Sequence, residues 1–316
     1  MEYRKLIAFG KSSYVISIPK SWIQQNKLKK GDLVYLEEKE NALVLNSQLT
    51  ESDEEKKITI SVDGKSFALL RRELNAAYIN NFREIIFKGQ ELKDKSKTLL
   101  ETIRELIALE VVELDSSRII TKDFLDMDKV SITELIKKMD LIVKYMLKDC
   151  SIAFQENTAE NIDLRDKDVN RLSFLIYRVI RYGMRNQNKM IKLYNLNATD
   201  LLNYYWITFH LEEIADEAKR ISRAMQKTNL PLGKQREFIK LLAQVEELYS
   251  QVIKYYYQKS GDKSLELSEK KSYFINAINS FSEQNKSSSE DITYMIDRFR
   301  RLVGSIHELN RLTHQY

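Results

Sequence analysis

The chain has a single cysteine, Cys150, three histidines, two prolines and eight glycines in 316 residues. One cysteine can form no disulfide within the chain, and with three histidines it leaves too few soft ligands for a structural zinc site. Scarce glycine and proline mean few forced turns. That argues against a sandwich or barrel of many tight hairpins and for long uninterrupted helices. No apolar run approaches the roughly 18–20 residues that cross a bilayer, and the opening MEYRKLIAFGKSSYV has no apolar signal-peptide core. A cytoplasmic protein without membrane insertion is expected. Neither sign of charge dominates, with 51 Lys+Arg against 46 Asp+Glu. What is present, 43% hydrophobic and 31% charged residues, suits folded domains rather than a disordered chain. At 316 residues the chain also exceeds the roughly 250 at which single cores stop growing.

A net charge of +5 says little, so its distribution matters more. Residues 1–46 carry eight Lys/Arg against five Asp/Glu, and residues 165–192 carry eight against two. Both are candidate anion-facing regions. Within the first, Tyr14-Val15-Ile16-Ser17-Ile18 alternates with the period of a half-buried strand, and Pro19 ends its pairing. A short helix from Ser21 follows, then a Gly31-Asp32 turn, a strand at Leu33–Leu36, a turn at Glu40-Asn41 and a strand at Ala42–Leu45. So small a segment buries too little apolar surface to stand alone, which favours an intertwined dimer.

Residues 48–57 are polar and acidic and read as a linker. From Ile58 to Asp126, strand and helix patterns alternate, ending in VVEL and RIIT around an Asp115-Ser116-Ser117 turn. This is a small α/β layer. It holds no glycine-rich phosphate loop, no nucleophile elbow and no Cys/His pairing, so a non-enzyme is expected. From Ser131 onward helical periodicity dominates in six blocks, about 131–156, 164–193, 199–226, 234–259, 263–284 and 290–314. Two sets of three suggest an internal duplication, with Ala218–Ile221 lying against Leu309–Leu312.

Residues 4–45 combine a leading basic pair, Gly-x-x-Ser-Tyr-Val, Ile-Pro-Lys-x-Trp, and Lys-Gly-Asp before an apolar strand. In this they resemble the swapped-hairpin DNA-binding domain of the SpoVT/AbrB family. The resemblance implies a homodimer whose strands interlace and present basic residues to DNA. By position, Arg4, Lys5, Lys11 and Lys20 would meet phosphates, with Ser12 and Ser13 adding neutral hydrogen bonds. Versions of this fold that only dimerise or bind a partner are the alternative, and Glu2, Glu37, Glu38 and Glu40 offset the basic field.

Asp166–Leu172 and Leu211–Ile221 resemble the two signature helices of the PhoU family, with Asn170 where the family has a second aspartate. Residues four apart share a helix face, so Glu212 and Asp216 can point jointly at a metal, with Asp166 and Asn170 opposite. The resemblance implies a divalent or ferric ion in this first repeat and a regulator of phosphate uptake. Asn170 is the weaker ligand, and pairing with arginines such as Arg171 or Arg178 is the competing use of these carboxylates. In the second repeat Val303 and His307 stand where Glu212 and Asp216 do, so no equivalent cluster is expected there. His210 should face away from Glu212 and Asp216, about 200° round the helix.

Arg171, Arg178, Arg181, Arg185 and Lys192 form a basic stripe opposite an apolar arc, fit for an acidic partner, anionic lipid or DNA unless it is a solvated face. Tyr204-Tyr205-Trp206 and Tyr255-Tyr256-Tyr257 are read as helix packing. The LLRRELNAAYINNFREIIFKG and IRELIALEVVEL stretches resemble the α/β insert of archaeal proteins that fuse an AbrB-like head to a PhoU body. The expectation is therefore a multidomain, mainly α protein. It has an AbrB-like domain (1–47), an α/β connector (57–126) and a six-helix PhoU-like bundle of two three-helix repeats (131–316). Its expected partners are DNA, a second copy, and a phosphate transporter or signalling protein.

Overall fold

The computed structural model describes residues 3–39, 42–47, 56–156, 158–285 and 290–313. The chain divides into two compact units, Met1–Glu54 and Glu55–Tyr316.

In the first unit, β1 (Ile7–Phe9) pairs antiparallel with β2 (Ser13–Val15), Ile7 opposite Val15 and Phe9 opposite Ser13. The turn between them needs a left-handed residue, and Gly10 at φ +73° supplies it. Helix α1 (Lys20–Gln25) starts after Pro19, whose position at the N-cap requires no amide hydrogen. β3 (Tyr35–Lys39) then pairs with β4 (Ala42–Asn46), Leu36 opposite Leu45. The expected strands are present but shifted: pairing of Tyr14–Ile18 stops at Val15, and the Leu33–Leu36 strand begins at Tyr35. The Glu40-Asn41 turn falls outside the described residues. Residues 3–36 and 43–47 are all at least partly exposed, and among the described residues neither buried cluster draws on this unit.

The second unit begins with a four-stranded sheet of order β5-β6-β8-β7. Its strands are β5 (Lys57–Ser61), β6 (Glu84–Lys88), β7 (Leu109–Leu114) and β8 (Arg118–Asp123). β5 and β6 are parallel, connected through α2 (Phe67–Ile79), while β8 runs antiparallel to both its neighbours. α3 (Leu92–Arg104) links β6 to β7. Alternation puts Ile60, Ile85, Phe87 and Ile119 on the face that meets Leu70, Leu74, Leu99 and Ile103 of the helices. This is the α/β layer read from the sequence.

A 3-10 turn at Met127–Lys129 leads into the helices: α4 (Ile132–Ser151), α5 (Ala159–Arg185), α6 (Gln187–Tyr194), α7 (Ala198–Lys227), α8 (Leu232–Gln258), α9 (Gly261–Ser268), α10 (Lys270–Gln284) and α11 (Glu290–Thr313). Two of the six expected blocks are thus split. Asn186, at φ −118° and ψ 48°, breaks the second, and α6 folds back so closely that a Cβ on Gly183 would lie 2.9 Å from Met190 and Leu201. The fifth is divided at Glu269. Other boundaries follow local chemistry: Ser131 caps α4, Asn197 and Asp200 form a reciprocal capping box on α7, and Pro231 precedes α8. α4, α5 and α7 pack on one another, and α11 lies along α7. One continuous core runs through the bundle. Among the described residues no helix is long and apolar enough to cross a membrane.

Candidate functional site

Helical spacing puts Asp166 one turn before Asn170 on α5, and Glu212 one turn before Asp216 on α7. Because α5 and α7 pack together, all four reach one junction. The amide of Asn170 donates to Asp166 Oδ2 at 3.3 Å. The centre of the junction is held by Lys219, whose Nζ donates to Asp166 Oδ2 at 2.6 Å and lies 3.3 Å from Asp216 Oδ1. Arg220 binds the other oxygen of Asp216 at 2.7 Å and Glu217 Oε1 at 2.6 Å. The ion partners are therefore the next turn of α7 rather than Arg171 or Arg178. Arg171 lies beside Asp168 at 3.6 Å, and Arg178 is engaged elsewhere. Glu212 makes no ion pair among the described residues and accepts from the Tyr177 hydroxyl at 3.4 Å. Burial, then Asp216 and Asp166, push its carboxyl above the usual range, while Tyr177 is pushed up by its own burial and by Glu212.

As arranged, these residues do not fit a metal ion, because the two facing aspartates already share an ammonium group. Among the described residues no three His, Cys, Asp or Glu side chains are grouped to hold one. His210 turns away as its spacing requires, with Nδ1 3.4 Å from Glu213 Oε2 and its ring stacked on Trp206. Val303 is fully buried in the bundle core.

In the first unit the six residues singled out from sequence fall into two groups. Lys11, Ser12 and Ser13 are at the tip of the β1–β2 hairpin, where the Ser13 hydroxyl donates to the Phe9 carbonyl at 2.6 Å. Arg4, Lys5 and Lys20 are at its open end. All six are exposed, as are Lys27, Lys29 and Lys30 around α1 and the turn after it. Residues 3–36 carry seven Lys/Arg and one acid, Asp32, whose carboxylate accepts from the Lys29 amide. The same segment also exposes Ile7 (61%), Phe9 (69%), Tyr14 (72%), Leu33 (73%) and Leu36 (63%).

Residues 136–225, from the second turn of α4 to the last turn of α7, match the family model described as the PhoU domain. That stretch contains the entire acidic junction. The helical body carries a PhoU domain. Ahead of it, residues 7–61 match the model described as antidote-toxin recognition MazE, bacterial antitoxin. A head similar to the MazE type, followed by a helical body of which residues 136–225 match the PhoU domain, is thus the organisation of the chain. No curated protein matches it.

Within the matched helices one member of the basic stripe, Arg178, is turned inward, while Arg181, Arg185 and Lys192 are exposed. Arg178 is fully buried and grips Asp123 of β8 with both ends of its guanidinium, at 2.9 and 2.5 Å. Its Nε donates to Asn81, its carbonyl accepts from the Asn81 amide, and its charge lies 4.5 Å from the Tyr78 ring centroid. Arg83 reaches the same carboxylate. Arg181 and Arg185 both donate to Asn80. Three of the five stripe residues, Arg178, Arg181 and Arg185, engage the α/β layer through Asp123, Asn81 and Asn80. Asp123 and Asn81 carry no local signal, being 55 and 97 positions from Arg178. The aromatic triplets are only partly packed: Tyr256 is buried, whereas Tyr205 and Trp206 are 40% and 42% exposed.

Proposed function

We propose that the protein is a regulator of the phosphate response, binding DNA through a paired head and relaying phosphate status through the PhoU body. The observation that carries this reading is the first part of the head: residues 3–36 have no buried residue, carry seven cations against one acid, and expose several large apolar side chains. Covering these apolar side chains is favourable, at about 25 cal/mol per Å². A second copy supplies a matching surface, and pairing two heads doubles the exposed cations available to phosphates. The match to the MazE antitoxin model over residues 7–61 and the PhoU match over residues 136–225 are compatible with the same assignment. A regulator of this kind needs no catalytic group, and the junction between α5 and α7 is engaged in ion pairs.

The test is binding of the full chain to DNA over a salt series. Each phosphate contact contributes about 0.9 to the slope of log K against log salt. Replacing Arg4, Lys5 and Lys11 by alanine should lower affinity at least tenfold at 0.1 M salt and flatten that slope. A chain that dimerises yet shows no salt-dependent DNA binding would instead be an adaptor, with its head contacting a phosphate transporter, a sensor kinase or another protein. The exposed apolar residues of the head are the observation that favours this second reading.

A further inference from the structure

The acidic junction of the body contains a cation of its own. Asp166 on α5 and Asp216 on α7 face one another, and like charges so placed repel unless a positive group lies between them. Lys219 is that group. Its ammonium contacts a carboxylate oxygen from each helix, at 2.6 and 3.3 Å, and its side chain is only 17% exposed. Two carboxylates from two helices converging on one positive centre is also the donor arrangement of a hard metal ion, which takes oxygen ligands. Two further details favour the ammonium. Asn170 presents its amide hydrogens to Asp166 Oδ2, which is then saturated by donors from two directions. Arg220 occupies the other oxygen of Asp216, so the aspartate has no free edge for a metal.

We propose that Lys219 stands in for a metal ion at the α5–α7 junction, an internal ammonium that neutralises Asp166 and Asp216 and lets the body assemble without metal. The proposal does not depend on what the head binds. It also implies that the ligand-binding geometry is latent: removing the ammonium leaves two facing carboxylates short of one positive charge.

The experiment uses the purified full chain, elemental analysis, and thermal unfolding with EDTA or with added Mn²⁺. The wild-type chain should hold no stoichiometric metal at this junction, and its melting temperature should be the same in EDTA and in Mn²⁺. Lys219→Met should melt about 4–8 °C lower in EDTA. It should regain at least half of that loss as Mn²⁺ is titrated, with about one ion bound per chain by the loss of free Mn²⁺ signal in electron paramagnetic resonance. The double variant Lys219→Met/Asp166→Asn should show no such recovery. A wild-type chain with one metal ion that Asp166→Asn removes would overturn the proposal. So would a Lys219→Met chain that is not destabilised, or one whose loss Mn²⁺ does not repair, since Lys219 would then be only an ordinary ion pair. Should Lys219→Met fail to fold in EDTA, folding it in Mn²⁺ supplies the same reading, and the wild-type metal content decides independently.

Discussion

At the scale of single residues, Arg178 and Glu212 show charge used in opposite ways. Arg178 is a fully buried cation whose every face is answered, by Asp123, Asn81 and the Tyr78 ring. Removing one member of a buried pair leaves the other charge uncompensated, so Arg178→Met should lower unfolding free energy by about 3–5 kcal/mol, read from the chemical denaturation midpoint of the chain. Glu212 is half-buried beside two other carboxylates, and its folded-state carboxyl holds its proton more tightly than in the unfolded chain. The native state then binds more protons, so stability falls as pH rises from about 4.3 through the folded value. Glu212→Gln, which keeps an oxygen for Tyr177, should therefore melt higher than wild type at neutral pH. The difference should vanish below about pH 4. Equal melting across that range would show that Glu212 is solvated.

Elements begin and end where local chemistry requires, and two positions are sharp enough to test. Gly89 leaves β6 at φ +151°, and a Cβ there would meet Asp63 Oδ1 at 2.4 Å and Val62 Cγ2 at 2.7 Å. That carboxylate already accepts the Glu91 amide at the start of α3. Gly89→Ala should cost about 2 kcal/mol, and more than the same change at Gly233, where nothing lies within 4 Å. On α7, Asn197 accepts from two amides of the first turn while Asp200 accepts in return. Asn197→Ala should cost about 1 kcal/mol by thermal unfolding. The division between α5 and α6 at Asn186 was not legible in the apolar spacing, because Ile180, Met190 and Ile191 keep helical phase across it. Close packing of Met190 and Leu201 on Gly183 depends on elements that meet only in the fold.

For the whole molecule, the contrast is between a unit whose described residues form no buried cluster and one with two. Both buried clusters lie beyond residue 55, while residues 3–36 and 43–47 of the head are all at least partly exposed. The full chain should therefore sediment as a dimer, and Phe9→Asp combined with Leu36→Asp should shift it towards monomer. A chain beginning at residue 55 should keep its cooperative unfolding, because its apolar burial is internal. Loss of folding in that fragment would mean that the head supports the body directly.

Much of this was written in the chain. Period-two alternation and proline placement located the head, alternating strand and helix patterns located the α/β layer, and four-residue spacing put Asp166, Asn170, Glu212 and Asp216 on faces able to meet. Those are local properties, set by backbone geometry within a few residues. What the tertiary structure alone decided is which charges meet which. Lys219, three residues beyond Asp216, could have pointed to solvent, and the arginines of α5 could have faced a partner. Their partners lie 53 to 105 positions away, and only packing, which excludes water and makes each unanswered charge expensive, selects among them.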